Sequence, residues 1–160
     1  MSSYTKNLVA LSLFAAGPMV AAAAGSAASK RSRGRWYRRL RKPPYTPPAR
    51  ALGPVWTGLY ASMAASVMRV WLRPPSTKRT GALWLWTAQL GLNAAWSPLF
   101  FGLRRPRAAL ADSGALLATL GAYTACSAKV DKPAAWLVAP YLGWTAFATM
   151  LNADIVKRNA

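Results

Sequence analysis

The chain has no histidine, no glutamate and a single cysteine, Cys126. Each absence removes chemistry. One thiol cannot form a disulfide within the chain, and without imidazole partners it cannot build a zinc cluster. Serine–histidine–aspartate triads and cysteine–histidine dyads are excluded for want of the base. Asp112, Asp131 and Asp154 are the only side-chain carboxylates, and they fall in three different regions. No carboxylate pair for general acid–base work can be read from that spacing. Cys126 lies in an apolar run, where a thiol behaves as a small hydrophobe.

What is present is lopsided. Lysine and arginine total 21 against 3 carboxylates, for a net charge of +18, in a chain of 160 residues that is 54% hydrophobic. Such a charge raises nucleic acid as a partner. The basic residues lie between the apolar runs, however, so anionic membrane lipid and topology control account for them, and no nucleic-acid partner is expected.

A bilayer core of about 30 Å needs about 20 residues of helix. Five stretches meet that length, at about 8–29, 51–72, 81–103, 108–128 and 133–156. Asp112 is the one charge in the fourth, and Arg69 in the second is expected to snorkel toward the interface. The spacing predicts an all-α membrane protein, a single domain over 1–160 with a bundle of five transmembrane helices and a basic, proline-rich first loop at 30–50. The first run has a second reading. Lys6, an apolar stretch, and then Ala22-Ala23-Ala24 or Ser26-Ala27-Ala28 also fit a cleavable signal peptide. Its length, and the small face made by Gly17, Ala21 and Gly25, favour a retained helix.

Counting basic residues on alternate sides sets the orientation. The 30–50 loop (nine), the 104–107 turn (three) and Lys157 with Arg158 (two) give fourteen on one side. Lys6, Arg73, Lys78, Arg79, Lys129 and Lys132 give six on the other. The loop and the C-terminus are therefore expected in the cytoplasm. Trp36, Trp71, Trp84 and Trp136 near helix ends fit an interfacial aromatic belt.

Inside the loop, Lys42-Pro43-Pro44-Tyr45-Thr46-Pro47-Pro48 is a stiff strap, because proline fixes φ and removes a backbone donor. Gln89, Asn93 and Trp96 in the third span share one helical face, extended by Trp86 and Phe100. Amides in hydrocarbon must find partners, either on a neighbouring helix or on a ligand in an aromatic pocket, and both readings stand. In the fifth span Tyr141, Trp144, Ala148 and Leu151 share a face beside Asn152, and Pro140 frees a carbonyl one turn earlier. Trp56, Tyr60 and Met63 form a comparable stripe in the second. Three such stripes on three helices point to an internal cavity.

At this point the residues resemble a known family. Gly34-Arg35-Trp36-Tyr37, Leu40, Lys42-Pro43 and Pro47-Pro48, followed by Gly53-Pro54-Val55-Trp56 and Leu59-Tyr60, are similar to the first loop and second helix of the translocator protein family, TspO/MBR. Gln89-Leu90, Leu92-Asn93, Trp96, Pro98 and Phe100-Phe101-Gly102 resemble its third helix. Pro140-Tyr141-Leu142, Trp144, Phe147-Ala148 and Leu151-Asn152 resemble its fifth.

The resemblance implies a five-helix bundle, a homodimer in many members, whose cavity opens under the first loop and takes porphyrins, sterols or benzodiazepine-type ligands. Carried over by position, the cavity wall includes Leu52, Trp56, Asn93, Trp144, Ala148 and Leu151, and the third-span face adds Gln89 and Trp96 as ligand-binding residues. Lys42, Pro43, Tyr45, Pro47 and Pro48 form the lid. No metal and no cofactor are expected, the ligand being protoporphyrin IX or a related tetrapyrrole. With no histidine, haem iron would lack its commonest axial ligand, which favours a metal-free ring held by stacking and dispersion. Trp56 and Trp144 are expected on its faces, Asn93 or Gln89 at a polar edge, and Arg41 or Lys42 on its propionates.

Sensing, transport or delivery of the ring is the leading expectation. Light-dependent protoporphyrin degradation and a sterol- or lipid-binding scaffold are the alternatives. The implied membrane is the mitochondrial outer membrane in a eukaryote or the cell envelope in a bacterium. Three positions depart from the family pattern: Tyr45 replaces a strap tryptophan, Ala108 a fourth-helix tryptophan, and Ala153 the tyrosine of the animal sterol motif. With no tyrosine between Leu151 and Arg158, that sterol pattern fails.

Overall fold

The computed structural model describes Ser12, Phe14, Gly17 and residues 35–160. Most of the first expected span lies outside the described residues, together with the choice between retained helix and leader and the basic residues at 30–33.

The described chain is helical, with no strand among the described residues. A five-residue helix α1 (Arg35–Arg39) precedes the strap, followed by α2 (Ala49–Trp71), α3 (Thr77–Ser97), α4 (Pro106–Ala128) and α5 (Lys132–Arg158). Thus α2 to α5 coincide with the second to fifth expected spans. Each begins slightly earlier than its apolar run, and capping explains two of the differences. The Ser76 side chain accepts from the Arg79 N–H ahead of α3, and Asp131 accepts from the Ala134 N–H ahead of α5. Such caps satisfy backbone donors that the helix itself cannot. Pro106 and Pro133 occupy first-turn positions, where a missing N–H costs nothing.

The end of the third span differs from a plain helix. Pro98 cannot donate, and the chain widens into one π turn, Pro98–Gly102, closed by Leu103 N–H donating to Pro98 O at 2.8 Å. Arg104 then takes φ 55° to reverse the chain into α4. By contrast α5 runs unbroken through Pro140.

Contacts run most densely between α4 and α5, then between α3 and α4 and between α2 and α5. The α2–α3 seam is sparser, and Phe14 lies across it, edge-on to Trp71 at 5.7 Å and to Trp86 at 5.2 Å. Three helices meet at Ser66. Its hydroxyl donates to Ala134 O at 2.7 Å, so the Tyr123 hydroxyl must donate to Ser66 Oγ at 2.8 Å. All of this is buried.

The α2 and α4 helices have 23 residues each and α3 has 21 before its π turn. Among the described residues one helix, α5, is both long and apolar enough on average to cross a bilayer.

Candidate functional site

The strap owes its form to a turn. Thr46 donates from N–H and from Oγ1 to Pro43 O, at 3.1 and 2.7 Å, with Pro44 fixing the corner and Tyr45 at its tip. The tip meets α5: Tyr45 Oη donates to Asp154 Oδ2 at 2.6 Å, and its ring stands edge-on to Phe147 at 6.2 Å. The hydrogen bond to Asp154 pushes the Tyr45 hydroxyl pKa above its ordinary value. A second tie lies upstream, where Asn159 accepts from Arg41 N–H and donates to Arg41 O, both at 3.0 Å. Lys42 donates to Tyr37 O at 2.7 Å and lies over the Tyr37 ring at 4.2 Å. Its ammonium therefore pins the strap to α1. None of these ties to α5 had a sequence signal beyond the exposed polar residues themselves.

Helix α1 was not foreseen inside the loop. Its Trp36 and Tyr37 pack edge-on against Phe100 at 5.8 and 6.3 Å, and Tyr37 also meets Phe101 at 5.4 Å. The π turn sets those two phenylalanines side by side. Trp36 is therefore held by packing on the π turn, a contact that its expected place in an interfacial belt did not include. Trp71 is likewise engaged, by Phe14 and by the Arg79 guanidinium 4.7 Å over its ring. Trp84 and Trp136 do stand outward, at 71% and 74% exposure.

The expected binding residues divide into two groups. Trp56 stacks on Tyr60 at 5.2 Å and stands edge-on to Tyr141 at 6.2 Å and to Trp144 at 6.3 Å with an 80° interplanar angle. The two indoles thus cannot face a flat ring from opposite sides in this arrangement; one offers a face where the other offers an edge. Trp96 joins the other group, stacked on Phe100 at 5.0 Å and 16°, with Leu151 packed against the same cluster. Leu52 lies one turn before Trp56, and Ala148 one turn after Trp144. All seven of these residues, Asn93 included, are half-buried.

The two amides behave differently. Asn93 Nδ2 donates to Tyr60 Oη at 3.4 Å, the interhelical bond that hydrocarbon demands. Gln89, one turn away, is wholly buried, and neither its Oε1 nor its Nε2 has a hydrogen-bond partner among the described residues. Asn152 repeats this on α5, 1% exposed with both amide atoms unpartnered among the described residues. An unpaired buried amide costs about 1–3 kcal/mol, so two of them in the interior need a reason. Asn152 was visible in sequence as a neighbour of Leu151 and as part of the fifth-helix motif, with no role assigned to it.

Residues 14–158 match the model of the TspO/MBR family. The chain belongs to that family. It is 44% identical over 131 residues to the translocator protein of Homo sapiens, covering 78% of this chain and 75% of that one. It is 35% identical over 140 residues to the tryptophan-rich protein TspO of Chlorobaculum tepidum, covering 85% and 87%. The tryptophan-rich sensory protein of Cereibacter sphaeroides is 36% identical over 124 residues, covering 78% and 77%. As TspO/MBR proteins are membrane proteins, the apolar helices of this one have a solvent that suits them.

Proposed function

We propose that this TspO/MBR protein crosses the membrane five times and binds a flat, largely apolar heterocycle, protoporphyrin IX or a close tetrapyrrole, between α2, α3 and α5 beneath the strap. The observation that carries the reading is Gln89, whose amide is fully buried and, among the described residues, unpartnered one turn from Asn93. A pyrrole N–H or a ring carboxyl presented there would satisfy it. The aromatic wall of Trp56, Tyr60, Tyr141 and Trp144 supplies dispersion at low entropic cost. Membrane insertion is supported by the outward Trp84 and Trp136 and by the exposed threonines. Thr57 and Thr87 each return their hydroxyl to a carbonyl of their own helix at 3.0 Å, as an apolar solvent requires. Of the basic residues from Arg35 onward, eleven lie at the strap end and six at the other, an excess that supports a cytoplasmic strap.

Since Lys42 is tied to Tyr37, ring propionates fall to the exposed side chain of Arg41. The role is a translocator or sensor for the ring, acting as a homodimer. Tryptophan fluorescence titrated with protoporphyrin IX tests it. Saturable quenching that weakens several-fold in Trp144→Phe is expected, and a linear, unsaturable response would refute binding. Illuminating the same sample checks the degradation alternative, through the appearance of a bilin-like absorbance.

A further inference from the structure

The end of the bundle away from the strap carries a second built feature. Asp131 caps α5, with Oδ1 accepting from the Ala134 N–H at 2.9 Å. Two arginines from the end of α2 converge on the same carboxylate. Arg69 donates from Nε to Oδ1 at 3.1 Å and from Nη2 to Oδ2 at 3.3 Å. Arg73 donates to Oδ2 from Nε at 2.6 Å and also from Nη2. Arg69, expected only to snorkel toward the interface, is here half of a pair of guanidiniums sharing one anion.

The sharing is unequal in charge and in donors. A carboxylate has about four lone-pair sites, and five donors already crowd Asp131. No bond among the described residues engages Nη1 of either arginine. Two positive charges against one negative leave a surplus, and Lys129 and Lys132 beside Asp131 add to it. The Asp131 side chain is 1% exposed whereas those of Arg69 and Arg73 are 43% and 49% exposed. Thus the anion is covered and the cations are presented. Together with Leu72, 58% exposed, they line an open depression of about 190 Å³.

We infer that Arg69 and Arg73 form a binding site for a phosphate group at this end of the molecule. Asp131 holds the two guanidiniums side by side, so their free N–H groups meet phosphate oxygens with little ordering left to do. The outward Trp84, early in α3, and Trp136, early in α5, lie near the same end, where such rings sit at headgroup level. Leu72 on the rim offers an acyl chain an apolar contact. A lipid phosphate and free phosphate share this chemistry. The site is separate from the ring-binding region and stands whether or not a porphyrin binds.

Two arms test it on the full chain. In one, detergent-purified protein is titrated with inorganic phosphate and followed by phosphorus NMR line broadening. In the other, spin-labelled phosphatidylglycerol and phosphatidylcholine compete for the protein in vesicles of phosphatidylcholine. Arg73→Gln, which leaves the Arg69–Asp131 pair in place, is expected to weaken binding about tenfold in the responding arm, the loss of one charge-assisted contact. Lys129→Gln removes the same charge from the same end and is expected to change it less than about twofold, as for a screened surface charge. A phosphatidylglycerol preference lost in Arg73→Gln assigns a lipid headgroup; phosphate broadening without that preference assigns the free ion. Equal effects of the two substitutions would reduce the site to diffuse charge and overturn it. So would the absence of any binding in both arms, or an Arg73→Gln protein, folded by circular dichroism, that binds as the wild type does.

Discussion

Gln89 carries an energetic conflict: its amide is fully buried, and no partner among the described residues answers it. Leucine has a similar size and no such demand. Gln89→Leu is therefore expected to raise the thermal unfolding midpoint in detergent, by up to about 1 kcal/mol of stability, while weakening protoporphyrin binding about tenfold. A parallel loss of both would mean that Gln89 is structural. Tyr45 is a second residue with a separable role. Its hydroxyl bond to Asp154 joins the strap to α5, and its raised pKa sets the window. The bond is fully in place below the ordinary tyrosine value of about 10 and is lost as pH rises through the higher folded one. Tyr45→Phe, read by stopped-flow fluorescence, should speed ligand entry and exit several-fold with little change in unfolding temperature. Sequence singled out both residues, since their types are unusual where they stand. The Tyr45 pairing was not legible, because Asp154 lies 109 positions away and nothing local marks it.

At the scale of elements, α2 to α5 followed from apolar run length alone, to within a few residues at most ends. What run length could not reveal is how ends are finished. The π turn at Pro98 and helix α1 meet through packing that run length does not record, Trp36 and Tyr37 on Phe100 and Phe101. Asp131 ties two element ends, capping α5 and holding the terminus of α2. Burial alone would raise its carboxyl, but bonds from Arg69, Arg73 and the Ala134 N–H outweigh that and hold it below the usual carboxylate range. A lowered folded pKa means stability that is present above the unfolded value of about 3.9 and lost as pH falls through the folded one. Unfolding temperature should thus stay level from neutral pH to about 5 and fall below about 4. Asp131→Asn should cost about 1–2 kcal/mol at pH 7, since both guanidiniums are half exposed, and should flatten part of the acid fall. An unchanged acid limb in that variant would show that Asp131 does not set it.

For the whole molecule, the lopsided charge and the spacing of apolar runs anticipated a helical membrane protein, and family membership agrees with that. The motifs around Trp56, Asn93 and Trp144 were legible because they combine rare residue types at helical spacing. The division of the aromatics into two groups was not, since the helical spacing that puts Trp96 and Phe100 on one face does not say which neighbours that face meets. The central claim is that a tetrapyrrole occupies the region bounded by Trp56, Gln89, Trp144 and the strap. The most direct measurement is the structure of the protein loaded with protoporphyrin IX. The macrocycle is expected against the Trp56–Trp144 wall, with the Gln89 amide within hydrogen-bond distance of it and Tyr45 still closed on Asp154. A macrocycle lying instead on the outward Trp84 and Trp136, with Gln89 still unpartnered, would contradict the account.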